Sequence, residues 1–349
     1  MRLAVLSLLT LSLSACSSLG YYAQLLDGQM AVLRARAPID ALISDADTNP
    51  ALRVRLETVK AAVSFAEEAL ALPNHGSYQQ YADLGRPYVL WNVFATPEFD
   101  LAPIEWCYPL AGCFSYRGHY DLEGARAEAQ RQRELGHDVY IGGVPAYSTL
   151  GWFNDPVLNT MLRWNDQELV GTLFHELAHQ RVFVKSDTAF NESFASFVQE
   201  EGLRRWLKAR GETPLDVTEP RRRNQDFVAL VQATRERLQA LYQSSQTPTA
   251  MRAAKRQVFE QMRESYQALR DGPWRGYAGY DQWFEQDLDN AALLPVGLYN
   301  TWTPAFGQLF AQARGKWPQF YDAVERLGER SADERKRMLD ALLEQAQGD

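Results

Sequence analysis

The sequence predicts an α+β fold that is mostly α, with a small sheet-bearing lobe beside a larger helical one. Three observations carry this. Short runs rich in β-branched and aromatic residues, punctuated by Pro and Gly, are confined to residues 86–160. Apolar residues at helical spacing dominate the stretches before and after it. With 46% apolar residues in 349, the chain buries a sizeable core, and it shows no internal repeat or low-complexity tract.

The first segment reads as an address. "MRLAVLSLLTLSLSACSS" has Arg2 as a minimal positive region, an apolar stretch from Leu3 to Leu13 and small residues after it, the pattern of a secretory signal. Spanning a bilayer takes roughly 20 apolar residues, and this run is shorter. Leu13-Ser14-Ala15-Cys16 resembles the lipobox of bacterial lipoproteins. Residues 1–15 are then a lipoprotein signal peptide and Cys16 is the lipidated N-terminus. Several acyl chains on one residue anchor stably where one holds only marginally. Ser17 in place of Asp favours the outer membrane, so the expected location is the cell envelope, lipid-anchored on the periplasmic side of that membrane. The alternative is a plain signal cut near Ala15. A net charge of -8 with no long basic run excludes nucleic acid as a partner.

Residues 16–85 form an N-terminal helical segment. "ALRVRLETVKAAVSFAEEALAL" places Leu52, Val54, Leu56, Val59, Val63, Phe65 and Leu70 at mixed helical spacings until Pro73 stops it, and the whole reads as a helical hairpin. Residues 86–160 form a small mixed α/β lobe: "YVLWNVF", "IEWCYPL", "CFSYRGHY", "DVYIGGV" and "AYSTLGWF" read as strands, and "LEGARAEAQRQRELG" as a helix closed by Gly136. Residues 161–349 are helical. The linkers are too short for separable domains, so 16–349 is one unit. Cys107 and Cys113 flank a Pro-Gly turn in an exported, oxidising setting, which predicts a disulfide worth about 2 kcal/mol. A metal site recruiting His119 is the alternative, without the spacing of a zinc finger.

In "TLFHELAHQRVFVKSDTAFNESFA", residues 172–195, chemistry concentrates. Asn165 or Asp166 caps a helix whose apolar face is Leu169, Val170, Leu173, Phe174 and Leu177. His175 and His179 lie four apart on it, about 6 Å along the axis and nearly one turn round, so both imidazoles face one ion. Glu176 then stands beside that ion as a general base rather than a ligand. A catalytic zinc takes three protein ligands and keeps one position open. Glu192 is the third, on a second helix started by Ser186-Asp187; Glu200 and Glu201 lie two turns further and Asp187 sits in the loop. Ala195 and Ser196 keep that face slim.

"HELAH" followed by "NESFA" resembles the gluzincin metallopeptidases. The metzincin pattern fails at Val182 and Lys185. "AYSTLGWFNDP", "FHELAHQ", "FNESFA", "LYNTWTPAFGQLF" and "FYDAVERLGE" together resemble a bacterial family of predicted zinc aminopeptidases, many of them lipoproteins, over most of the mature chain. The resemblance implies a zincin-like metallopeptidase, with His175, His179 and Glu192 holding Zn2+ and Glu176 as base. It also departs from the known gluzincin aminopeptidases: twelve residues separate His179 from Glu192, and the Gly-x-Met-Glu-Asn strand that binds the free amine is missing. Tyr299 resembles the downstream tyrosine aimed at the oxyanion. "VPAYSTLGWFNDP", with Tyr147 and Ser148, is the expected edge strand for a peptide substrate, and Asp155 the expected partner of its ammonium. The expectation is an aminopeptidase; a zinc endopeptidase, or an envelope lipoprotein with a structural metal, is the alternative.

Overall fold

The computed structural model describes residues 20–348 other than 74, 109–111, 147, 150–152, 217 and 297–301. The chain opens with helix α1 (20–34), strand β1 (Arg36–Pro38), the short α2 (Ile39–Ser44) and α3 (Pro50–Leu70). Asn49 caps α3 through Ala51 and Leu52, Pro50 fits the first turn where no N–H is needed, and Ala71 ends it in the left-handed region. The expected helical hairpin is therefore interrupted. β1 pairs antiparallel with β2 (Gln80–Ala82), which pairs in parallel with β8 (Val157–Leu158), so the N-terminal segment shares a sheet with the strand that leads into the metal-motif helix. Strands this short carry too little period-two pattern to be read in a sequence.

A second sheet, ordered β6-β3-β7, contains β3 (Leu90–Pro97), β6 (Arg117–His119) and β7 (His137–Val144). β3 and β7 run antiparallel in register from Leu90↔Val144 to Pro97↔His137. Helix α4 (Leu122–Glu134), capped by Asp121, lays Ala125 and Ala129 on Trp91, Val93, Ala95 and Val139. Between β3 and β6, the hairpin β4 (Trp106–Tyr108) and β5 (Gly112–Phe114) is bridged by Cys107–Cys113. His119 sits on β6 opposite Trp91, in a different sheet from the cysteines.

The remaining elements are helical. α5 (Asp166–Arg181) and α6 (Thr188–Arg210) pack together over α3, and α10 (Thr303–Gln312), α11 (Trp317–Gly328) and α12 (Ala332–Gly348) close the same core around Phe174, Phe190, Phe194, Phe306 and Phe320. Gly202 lets α6 come close: a Cβ there would stand 2.9 Å from Leu70 and 3.0 Å from Phe174. α7 (Thr218–Tyr242) and α8 (Pro248–Asp271) form an antiparallel pair with its own core, including Phe227, Phe259 and Trp274, completed by α9 (Asp281–Phe284). Lys255 ties α8 to Asp138 of β7 and to the Glu98 carbonyl, 2.8 Å away. Fold and sheets are thus mostly helical α+β. No described helix is long and apolar enough to cross a membrane.

Among the described residues of 145–156 no strand forms. The reason is local: Asp155 accepts from the Thr149 N–H at 2.8 Å and its hydroxyl at 2.8 Å, and Thr149 Oγ1 in turn accepts from the Phe153 N–H at 3.1 Å. These side-chain bonds compete with a ladder.

Candidate metal and active site

A capping box starts α5: Asn165 Oδ1 accepts the Glu168 N–H at 2.9 Å and Glu168 accepts the Asn165 N–H at 3.2 Å. Of the two caps the sequence allowed, Asn165 is used. α6 begins at Asp187, whose Oδ1 accepts the Phe190 N–H at 3.1 Å while Oδ2 binds Arg335. The short connection between the helices is held by Asn191, whose amide donates to the Val184 carbonyl and accepts its N–H, both at 2.8 Å. That bidentate clasp explains how so few residues join His179 to Glu192.

His175, His179 and Glu192 converge, their ligand-type atoms all within 4.8 Å of one another. His175 Nε2 lies 3.2 Å from Glu192 Oε2 and 3.2 Å from His179 Nε2, and His179 Nε2 lies 3.7 Å from Glu192 Oε1. Ligands about 2.0–2.1 Å from a tetrahedral zinc stand about 3.3–3.4 Å apart, so the donor set fits that ion. Protonation also fits. Burial, then the neighbouring His175, pushes His179 down to about 4, leaving it neutral with a free lone pair. Burial pulls His175 down, but the Glu192 bond and the Glu176 charge outweigh it and hold His175 above its ordinary value; the same bond keeps Glu192 below the usual carboxylate range despite burial. The contact thus draws His175 and Glu192 towards their charged forms.

Gln199 was not singled out from the sequence. Its Oε1 lies 3.1 Å from His175 Nδ1, which fixes the tautomer that leaves Nε2 facing the other ligands. It reaches there because Gly171, one turn before His175, offers no side chain: a Cβ would stand 3.3 Å from Gln199 Cγ. The available signal was spacing, since Glu192 and Gln199 are two turns apart on one face. Gln199→Leu is expected to weaken zinc binding about 10–100-fold with the fold intact, measured by competition against a fluorescent chelator.

The competing acids are spent elsewhere. Glu201 pairs with Arg204 and Arg205, Glu200 with Arg221, and Asp187 with Arg335. Glu105, beside the disulfide, has only bridged sulfurs as companions. Glu176 is raised to about 7, first by burial and further by Glu192 and Asp155, while His175 opposes the shift.

Asp155 is buried at 4% exposure, and its carboxylate serves Thr149 and, at 3.4 Å, the Ser148 hydroxyl. Burial holds it above the usual carboxylate range. Tyr147 and Tyr299 lie outside the described residues, as does Cys16. After the segment containing Tyr299, the Trp302 N–H donates to Ser193 Oγ at 3.1 Å, next to Glu192. Among the described tyrosines, Tyr116 is raised by burial, then by Tyr21 and Glu192. Its ring meets Phe94 at 5.7 Å.

Residues 20–339 match the model of a family described as "Putative aminopeptidase". The chain belongs to this family. The match covers both lobes and all three converging side chains, and membership points to peptidase activity. No curated protein and no solved structure matches the chain.

Proposed function

We propose that this member of the aminopeptidase family is a zinc-dependent peptidase of zincin-like, gluzincin type, lipid-anchored through Cys16 on the periplasmic side of the outer membrane. The observation that carries the reading is the convergence of His175, His179 and Glu192 at tetrahedral ligand spacing with Glu176 beside them. Bound zinc supplies Lewis acidity, which polarises a carbonyl and acidifies water. Glu176, beside His175, would take the proton from the attacking water and return it to the leaving amine nitrogen. Gln199 keeps His175 oriented. Tyr299, by resemblance, is the proposed donor to the oxyanion, and Tyr116, whose hydroxyl is raised in part by Glu192, is a second candidate.

An extended peptide has a strand to pair with in the Tyr140–Val144 part of β7, which pairs on one side with β3 and among the described strands has no partner on the other, the Val139 N–H before it being taken by Asp289. Beside it runs a groove of about 830 Å³ lined by Tyr88, Phe94, Tyr140, Gly142, Gly143 and Trp283. Backbone pairing there fixes the peptide and the aromatic wall receives its side chains.

Asp155 remains the proposed partner of a free N-terminus: it is acidic, buried and within electrostatic reach of Glu176. Peptides with a free amine are expected to be hydrolysed and their N-acetylated forms spared, with Asp155→Asn raising KM for the free-amine substrates. Chromatography of both peptide sets, with and without a chelator, tests this. Efficient internal cleavage of acetylated peptides identifies an endopeptidase instead, and no chelator-sensitive turnover of any peptide overturns the peptidase reading.

A further inference from the structure

Helix α1 has two apolar faces, and the fold uses one. Tyr21, Gly28 and Val32 are buried; Gly28 lies so close to the Tyr120 ring that a Cβ there would stand 2.1 Å from it. Gln24 clasps the body on the same side, donating to the Gly118 carbonyl at 3.2 Å and accepting the Tyr120 N–H at 3.3 Å. The opposite face carries Tyr22, Leu26 and Met30, exposed by 43%, 66% and 37%. At i, i+4 and i+8 they form one stripe about 12 Å long. The stripe continues from Tyr22 through Tyr108, at 5.7 Å, to Phe114, at 6.2 Å from Tyr108, and Phe114 is itself 38% exposed. The disulfide holds that hairpin in place.

We propose that this stripe docks on the interfacial layer of the lipid bilayer, so that α1 lies along the membrane rather than hanging from it. The proposal rests on the reading of Cys16 as the lipid anchor. Only four peptide steps join Cys16 to Gly20, a reach of at most about 14 Å, so an acylated Cys16 holds the start of α1 at the membrane surface whatever path the tether takes. A helix fixed to the body by one face, with Tyr, Leu and Met exposed on the other, suits the boundary between headgroups and acyl chains. A bilayer covers the whole stripe from α1 to the hairpin, and that row of rings ends at Tyr116, 6.3 Å from Phe114.

The test uses the full lipidated chain in phosphatidylethanolamine–phosphatidylglycerol vesicles, with Cys16 acylation read by mass spectrometry. With Cys16 acylated and Cys107 bridged to Cys113, the variants Leu26→Cys, Met30→Cys and, as a control exposed by 50%, Leu215→Cys each offer one free thiol for a nitroxide. Spin-label collision with oxygen against an aqueous nickel complex is expected to favour oxygen several-fold more at 26 and 30 than at 215. Equal nickel access at all three sites overturns the docking, and dipolar broadening between labels at 26 in dilute vesicles shows a second copy of the chain on the stripe and overturns it too. An unacylated Cys16 overturns the anchor, and the docking with it, while leaving the peptidase reading untouched.

Discussion

Glu176→Gln is expected to lower peptide turnover by on the order of 10²–10⁴-fold while zinc content stays stoichiometric, because the amide keeps the shape and loses the proton acceptor. The same variant has a second, opposite signature in the metal-free protein. Folding raises the Glu176 carboxyl from 4.5 to about 7, chiefly by burial. For an acid raised on folding, the native state binds more protons than the unfolded state between those values. Stability therefore falls as pH rises from 4.5 to about 7 and stays lower above it, by up to about 3 kcal/mol for a shift of this size. Glutamine never ionises. In a chelator, the variant is expected to melt above the parent at pH 8, and the gap is expected to close towards pH 4.5. Thermal scans across this range, beside turnover and metal analysis at pH 7, check both halves. A parent and variant with equal activity remove Glu176 from the chemistry; equal melting curves at pH 8 remove the burial argument.

Glu192→Ala is expected to lose zinc and, with it, the stability that zinc confers. The carboxylate is the hinge of the three-residue cluster, 3.2 Å from His175 and 3.7 Å from His179, so its removal leaves two imidazoles facing each other with no anion between them. A ligand that binds only the folded state stabilises it by about 4 kcal/mol at a thousand times its dissociation constant, so zinc is expected to raise the melting temperature of the parent and to leave that of Glu192→Ala nearly unchanged. Calorimetry with and without zinc reads this directly. Tight stoichiometric zinc in Glu192→Ala would show that another side chain holds the third position.

The helices of the site were legible because each carries its own signals. Asn165 and Asp187 stand where caps belong, and the apolar face of α5 repeats with the helical period. The two histidines declare their common face by spacing alone. Glu192 followed because it alone of the nearby acids falls on the inner stripe of the second helix, and the structure shows its rivals engaged by arginines. The sheets were legible inside the β-rich stretch, where β3, β7 and the short β4, β5 and β6 overlap runs of β-branched and aromatic residues, whereas β1, β2 and β8 have two or three residues and take their conformation from one another.

By itself the sequence picked out the three side chains that converge and how the two helices bearing them begin, because spacing, caps and apolar period are local properties of the chain. It also determined that Cys107 and Cys113 are close enough to bridge. What only the tertiary structure decided depends on approach between distant segments. Gln199 reaches His175 because Gly171 leaves room, and Asn191 shortens the turn by closing on Val184. Among the described residues around Asp155, Thr149 and Ser148 bond the Asp155 carboxylate in place of a strand ladder, and Asp289, far along the chain, takes the Val139 N–H of β7, which has no second described strand beside it. Glu192 comes to raise Tyr116, and one face of α1 stays uncovered, only once two lobes far apart in sequence have packed together.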